Sequence, residues 1–128
     1  MSVRIVRLGS DRAKGEGTRI GTVRRPPRGV PKQDFARRNF YDVWFPLLAP
    51  SDATVKLGLA ATDARAWPAF QRRYRAEMKA PPASQALDLL AALSHHADFS
   101  VGCYCEDESR CHRSLLREML LARGARVE

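Results

Sequence analysis

The sequence predicts an α/β fold with a mostly parallel sheet flanked by helices, formed by a single compact domain spanning residues 1–128. Two observations predict it. Short apolar, strand-like runs are separated by longer segments with helical periodicity, and turn-forming Gly and Pro residues mark the boundaries between them. The composition, 45% hydrophobic and 28% charged, is that of a folded globular protein long enough to bury its own core.

Three strands are predicted. Residues 3–8 alternate apolar and basic side chains, residues 18–24 lead into a proline-rich loop, and residues 99–105 form a buried strand. The proline-rich loop, Arg25-Pro26-Pro27-Arg28-Gly29, is stiff because paired prolines fix φ and lack backbone donors. The segment 40–45 is an apolar patch whose type the pattern does not settle.

Helices are predicted between and after these strands. Ser51 and Ser84 are candidate N-caps, and Pro68 suits the first turn of a helix that ends at Pro81. A short helix is expected over 31–39. The last helix is predicted over 112–123 and ends at Gly124.

The charge of the chain is unevenly distributed. The net charge is +8, and residues 1–40 hold eleven Lys and Arg against three acidic residues, whereas the other 88 residues balance. Such asymmetry favours an anionic partner, although arginines used for solubility would look the same. Aromatic residues are absent from the basic region before Phe35, so we expect only weak, non-specific nucleic-acid binding at low salt.

The sequence favours a cytoplasmic protein that does not associate with membranes. No apolar run reaches the roughly 20 residues of a spanning helix, and the first residues lack the pattern of a secretory signal. Three cysteines crowded within nine positions are poor material for a disulfide framework. The oligomeric state is left open, and no motif calls for a cofactor.

The segment 101–113 is the strongest candidate for a site, because it joins the buried strand to the last helix. In parallel sheets, ligands bind beyond the carboxyl ends of the strands. The loop 9–17, the Arg-Pro-Pro-Arg-Gly loop and the Cys-rich segment should therefore meet at one edge. Cys111 and His112 are the candidate catalytic residues, because a helix N-terminus and a neighbouring histidine favour a thiolate.

Binding of a small anion, a phosphate or a carboxylate, is the favoured function; whether the protein is an enzyme stays open. Forked guanidinium contacts and free N–H groups at a helix start both suit such a ligand. The predicted ligand-binding residues are Arg24, Arg25, Arg28, Cys105 and Arg113. The alternative is that Arg25 and Arg28 form salt bridges with the acidic residues at 106–108.

Metal binding and thiol redox chemistry are further alternatives. The likeliest ligand set is Cys103, Cys105 and Cys111, but Cys-x-Cys is tighter than the usual zinc spacing. Neighbouring residues on a helix diverge by about 100°, which argues against Cys111 and His112 binding the same ion. No metal ligand is therefore predicted.

Three stretches carry a resemblance to a known family. The run Thr-Arg-Ile-Gly-Thr-Val-Arg-Arg-Pro-Pro-Arg-Gly-Val at 18–30, the run Phe-Gln-Arg-Arg-Tyr-Arg-Ala-Glu-Met at 70–78, and the closing Cys111-His112-Arg113 resemble the YeaO-like bacterial proteins of the DUF488 type. The likeness covers nearly the whole chain. It departs at Pro26, where the family has tryptophan, and at Arg24, where it has an acidic residue. The resemblance implies a compact α/β fold and no established activity.

Overall fold

A parallel four-stranded sheet forms the centre of the protein, which we describe from a computed structural model over residues 1–59, 66–105, 108 and 111–128. The strand order is β1-β4-β2-β3. The strands are β1 (Val3–Arg7), β2 (Thr18–Gly21), β3 (Val43–Trp44) and β4 (Phe99–Cys103). All three pairings are parallel. The predicted α/β fold with a mostly parallel sheet is confirmed.

Strand β4 occupies an inner position, between β1 and β2. Its Val101 lies opposite Ile5 on one side and Ile20 on the other. All five of its residues are buried, because the chain covers both faces of a parallel sheet. Strand β3 is a short edge strand, and it comes from the apolar patch at 40–45 that the sequence left unassigned.

Four helices were predicted close to where they occur: α1 (Asp52–Leu59), α2 (Ala66–Lys79), α3 (Ala83–Leu93) and α4 (His112–Ala122). Ser51 caps α1, its hydroxyl accepting a bond from the Thr54 N–H at 3.3 Å. The predicted cap at Ser84 is wrong, because α3 begins at Ala83 after Pro82. The predicted helix over 31–39 is also wrong: only Lys32–Asp34 form a 3-10 turn.

The main core lies between the sheet and helices α2, α3 and α4. Helix α4 contributes the four apolar residues expected of its buried face, Leu115, Leu116, Met119 and Leu120. Tyr74 from α2 is fully buried, and its hydroxyl donates to the Leu48 carbonyl at 2.6 Å. No helix in the described ranges is both long enough and apolar enough to cross a bilayer.

A buried ion pair fixes the loop between β1 and β2. The Arg19 guanidinium, fully buried, donates to both carboxylate oxygens of Glu16 at 2.8 and 2.9 Å. It also donates to the Ser10 and Asn39 carbonyls at 2.8 and 2.7 Å. The Ser100 hydroxyl of β4 donates to Glu16 at 2.9 Å, so the loop is attached to the central strand.

Candidate site at the carboxyl edge of the sheet

Three loops meet at the carboxyl edge of the sheet, as the sequence predicted. Beyond β1, the Leu8 N–H donates to the Cys103 carbonyl at 2.8 Å. Beyond β2, the Thr22 N–H donates to the Gly102 carbonyl at 3.0 Å. The hydroxyl of Tyr104, the residue after β4, donates to the Arg25 carbonyl at 2.9 Å. The Arg-Pro-Pro-Arg-Gly loop and the Cys-rich segment are therefore in direct contact.

A buried cluster of two thiols and an imidazole lies at this edge. Cys103, Cys111 and His112 are 2%, 2% and 7% exposed, and their ligand atoms lie within 4.8 Å of one another. Cys111 is the N-cap of α4 and has an extended backbone, with φ −131° and ψ 154°. It is thus outside the helix, and its Sγ comes within 3.7 Å of His112 Nδ1. The expectation that these neighbours point apart is wrong, because it assumed helical geometry at both positions.

The protonation of His112 follows from its hydrogen bond. Its Nε2 lies 2.7 Å from the Thr22 backbone carbonyl, which can only accept, so Nε2 carries the hydrogen. The lone pair of the neutral ring is then on Nδ1, which faces Cys111. Burial lowers the pKa of His112 to about 4, against the opposing effect of the Thr22 bond. The imidazole is neutral at pH 7.

The two buried cysteines converge although their backbones are far apart. The sulfur atoms of Cys103 and Cys111 lie in bonding contact, as a disulfide pair, with their Cα atoms 7.9 Å apart. A disulfide usually spans a Cα separation of about 4.4–6.8 Å. Cys105, in contrast, is a free and exposed cysteine. The accessible thiol is therefore the predicted ligand-binding residue Cys105, and the predicted catalytic Cys111 is enclosed.

Arg113 is a buried cation with incomplete pairing. Its side chain is 4% exposed, and it donates from its terminal nitrogen to the Cys105 carbonyl. Its Nε has no hydrogen-bond partner among the described residues. The carboxylate of Glu108 is bound through both oxygens by Arg117, at 2.8 and 2.9 Å. Burial lowers the pKa of Arg113, and the charge of Glu108 acts in the opposite direction.

The other three predicted arginines behave differently from one another. Arg24 donates to the Pro50 and Ala49 carbonyls at 3.0 and 3.1 Å, so its guanidinium is directed toward the start of α1 and not toward the thiols. Arg25 forms an exposed ion pair with Asp52 at 3.2 Å. We expected the guanidinium groups of Arg24 and Arg25 to lie at the thiols. That expectation did not account for these nearer partners.

Arg28 is exposed and forms no ion pair or hydrogen bond with a described residue. The alternative was that Arg25 and Arg28 form salt bridges with the acidic residues at 106–108. Residues 106 and 107 lie outside the described residues, so this pairing can be checked only at Glu108. Glu108 pairs with Arg117 instead. Of the three loop arginines, Arg28 alone remains free, within the described ranges, to meet a ligand.

Tyr41 lies at the candidate site, and sequence reasoning did not single it out. It is 3% exposed, packs in one buried cluster with Cys103 and Cys111, and its hydroxyl has no partner among the described residues. It also lines a cavity of about 400 Å³ between the Arg-Pro-Pro-Arg-Gly loop and residues 32–44. Other residues of the lining include Pro26, Lys32, Phe35 and Trp44. Nothing in the apolar patch around Tyr41 distinguished it from core.

Much of the basic surplus of the first forty residues is used inside the fold. Among the described residues, five of its arginines form ion pairs with acidic side chains: Arg4 with Glu128, Arg12 with Asp42, Arg19 with Glu16, Arg25 with Asp52 and Arg37 with Asp34. The predicted charge asymmetry therefore translates only in part into a positive surface.

Comparison with known proteins identifies the family of the chain. Neither a curated protein nor a solved structure matches the chain. The family model DUF488-N3a, described as the active DUF488-N3 subclade, matches residues 3–124. This span holds the whole sheet, all four helices and the Cys-rich segment. The chain belongs to the DUF488-N3a family.

Proposed function

We propose that this protein binds a small metabolite bearing a phosphate or carboxylate at the carboxyl edge of its sheet. Arg113 and the first turn of α4 hold the anionic group, with Arg28 at the rim. The single observation that carries the proposal is the Arg113 guanidinium, which is nearly enclosed but has an unpartnered Nε within the described structure. A buried cation without a full set of partners is costly, and a bound anion removes that cost.

The surroundings of Arg113 support an anion over a neutral ligand. Glu108, a carboxylate whose charge acts on Arg113, is already bound by Arg117, and Arg7 adds a further positive charge. Cys111, at the N-cap, gives the first turn of α4 no side-chain hydrogen bond. The Ser114 N–H of that turn donates to the Cys111 carbonyl at 3.2 Å, and the N-terminal end of a helix as a whole favours negative charge.

A cavity large enough for a small metabolite is the second observation that supports the proposal. The cavity of about 400 Å³ falls within the size range of small-molecule sites, and its lining combines aromatic rings with Lys32, Gln33 and Asp42. The Asp42 carboxylate is paired with Arg12 at 2.9 Å. Tyr41 belongs both to this lining and to the cluster with the thiols, which links the cavity to the carboxyl edge. The description of the family as an active subclade fits a site that performs a reaction.

Catalysis by a thiol and binding of nucleic acid are the two other functions that the sequence predicts. A catalytic role for Cys111 and His112 is favoured by the 3.7 Å contact between Sγ and Nδ1, although Cys111 is only 2% exposed. Nucleic-acid binding is less well supported, because several arginines of the basic region are already in ion pairs. Affinity that falls steeply with salt would favour nucleic acid, whereas a single-anion site responds weakly.

The test is a calorimetric titration with inorganic phosphate and with succinate at fixed ionic strength. We expect Arg113→Gln to weaken binding by roughly ten- to a hundredfold, because a hydrogen bond to a charged group contributes about 1.5–3 kcal/mol. Arg123→Gln is the matched control, since Arg123 lies at the other end of the same helix and pairs with exposed Asp88. Equal affinities in the two variants, with both folded by circular dichroism, would contradict the proposal.

A further inference from the structure

The cluster at the carboxyl edge has the composition of a metal centre. We propose that Cys103, Cys111 and His112, with both thiols reduced, bind one thiophilic divalent cation, Zn²⁺ in the first place. This inference does not depend on the anion site, because it uses a different set of side chains.

The first support is the convergence of the donor atoms. The two Sγ atoms and the imidazole nitrogen lie within 4.8 Å of one another, and all three side chains are more than nine-tenths buried. Zinc sits about 2.3 Å from thiolate sulfur and about 2.0–2.1 Å from imidazole nitrogen, so one ion can reach all three after small side-chain adjustments. The end of β4 supplies Cys103, and the start of α4 supplies Cys111, its N-cap, and His112, its first residue.

The orientation of His112 is the second support. Its Nε2–H donates to the Thr22 carbonyl at 2.7 Å, which directs the Nδ1 lone pair toward the sulfurs. Histidines that bind metals nearly always donate their other ring N–H to a carboxylate, a carbonyl or water, which fixes the ring and its tautomer. The Thr22 hydroxyl, itself bonded to the Gly102 carbonyl at 2.9 Å, further encloses the ring.

The third support is the separation of the two cysteine backbones. Their Cα atoms are 7.9 Å apart, beyond the separation of about 4.4–6.8 Å that a disulfide usually spans. An ion bound between two thiolates lengthens the link between the backbones, which suits this separation. Two thiolates and an imidazole select zinc among the common divalent cations, because Mg²⁺ and Ca²⁺ prefer oxygen donors.

A thiol reductant first converts the Cys103–Cys111 disulfide pair into two thiols and is itself oxidised to a disulfide. Binding to these thiols is then an exchange of protons for the cation, with no further change of oxidation state. Each thiol loses its proton to solvent as its sulfur bonds to the ion, while His112 is already neutral and loses none. About two protons are released per ion. Three protein ligands leave a fourth position, as catalytic zinc sites do. Tyr41 packs in the same buried cluster as the two cysteines, and its hydroxyl has no partner among the described residues.

The test uses the full chain, reduced and freed of metal under anaerobic conditions, and titrated with Co²⁺. We expect a thiolate-to-cobalt charge-transfer band in the near ultraviolet together with the visible bands of a tetrahedral ion, saturating at one equivalent. Zinc should then displace the cobalt and bleach both. Proton release, followed with a pH indicator in weak buffer, should reach about two per cobalt ion.

Three variants locate the ligands. Cys103→Ser and Cys111→Ser should each lose the charge-transfer band or most of its intensity. Cys105→Ser should keep it, because Cys105 is exposed and outside the cluster. If a buried variant fails to fold by circular dichroism, the wild-type spectrum still decides. A wild-type chain without a thiolate band would overturn the proposal, as would loss of the band in Cys105→Ser alone.

Discussion

The buried pair of Glu16 and Arg19 predicts a large loss of stability when the carboxylate is neutralised. Burial alone would raise the pKa of Glu16, but hydrogen bonds from Arg19, the Ala13 N–H and Ser100 lower it from 4.5 to about 2. The folded state therefore strongly prefers the ionised carboxylate. The perturbation is Glu16→Gln, which keeps the shape of the side chain and removes its charge beside a fully buried guanidinium.

The magnitude follows from the pKa. At about 1.36 kcal/mol for each pKa unit, a fall from 4.5 to about 2 corresponds to about 3 kcal/mol of folding free energy. Breaking a buried pair by removing one partner costs about 3–5 kcal/mol, which agrees. Because the folded pKa is the lower one, this stability is present above about pH 4.5. It is lost as the pH falls toward 2.

Urea denaturation at pH 7, 5, 4 and 3 measures both effects. Wild type should lose stability across the acidic part of this range, and Glu16→Gln should start about 3 kcal/mol lower and lose less between pH 4.5 and 3. Glu118→Gln is the matched control. Glu118 pairs with Arg75 on the surface, where such pairs contribute less than about 1 kcal/mol. If Glu16→Gln unfolds no more readily than this control, the reasoning about the loop is refuted.

Further measurements test the site and the loop. With iodoacetamide on the folded, reduced chain, mass spectrometry should find Cys105 labelled before the two buried cysteines, because it alone of the three is exposed. Gly17→Ala should reduce the yield or melting temperature severely, since the new Cβ would lie 1.9 Å from the Asp98 carbonyl oxygen. Gly15→Ala, at a similar positive φ but in open space, should cost only about 1 kcal/mol. Arg113→Met should leave the melting temperature of the ligand-free protein unchanged or higher, and abolish phosphate binding, because an apolar side chain suits the enclosed position.

The sheet and helices were predictable because their signals are local. Alternation in β1, an apolar run in β4 and the stripe of α4 each occupy a few consecutive residues, so neighbours alone determine them. The short elements were less predictable. Strand β3 is two residues long and exists through its pairing with β2, and the 3-10 turn at Lys32–Asp34 is too short to show a helical period.

The meeting of the three loops at one edge of the sheet was predictable from the sequence, but the contacts that the side chains make there were only partly so. Parallel strands brought the three loops to one edge, as expected. The directions of Arg24 and Arg25 could not be foreseen, because their partners at 49–52 come from a distant part of the chain. The extended backbone of Cys111 was decisive for the cluster. Two neighbouring residues inside a helix have side chains that diverge by about 100°. Cys111 lies outside the helix, so its Sγ instead comes within 3.7 Å of His112 Nδ1.

The start of helix α4 is buried, and the proposed anion site and the proposed metal centre lie side by side there. Three consecutive polar residues, Cys111, His112 and Arg113, are 2%, 7% and 4% exposed, although a helix start commonly faces water. Such burial lowers stability unless the polar groups find partners. His112 has the Thr22 carbonyl, and Arg113 has the Cys105 carbonyl but an incomplete set. The groups at this helix start that still lack partners are the ones for which we propose bound ions. The two proposed sites are adjacent, yet they need not be coupled through charge: two protons leave as one divalent cation binds, so the charge of the thiol cluster does not change, and we expect the affinity of Arg113 for phosphate to be nearly the same with and without the metal.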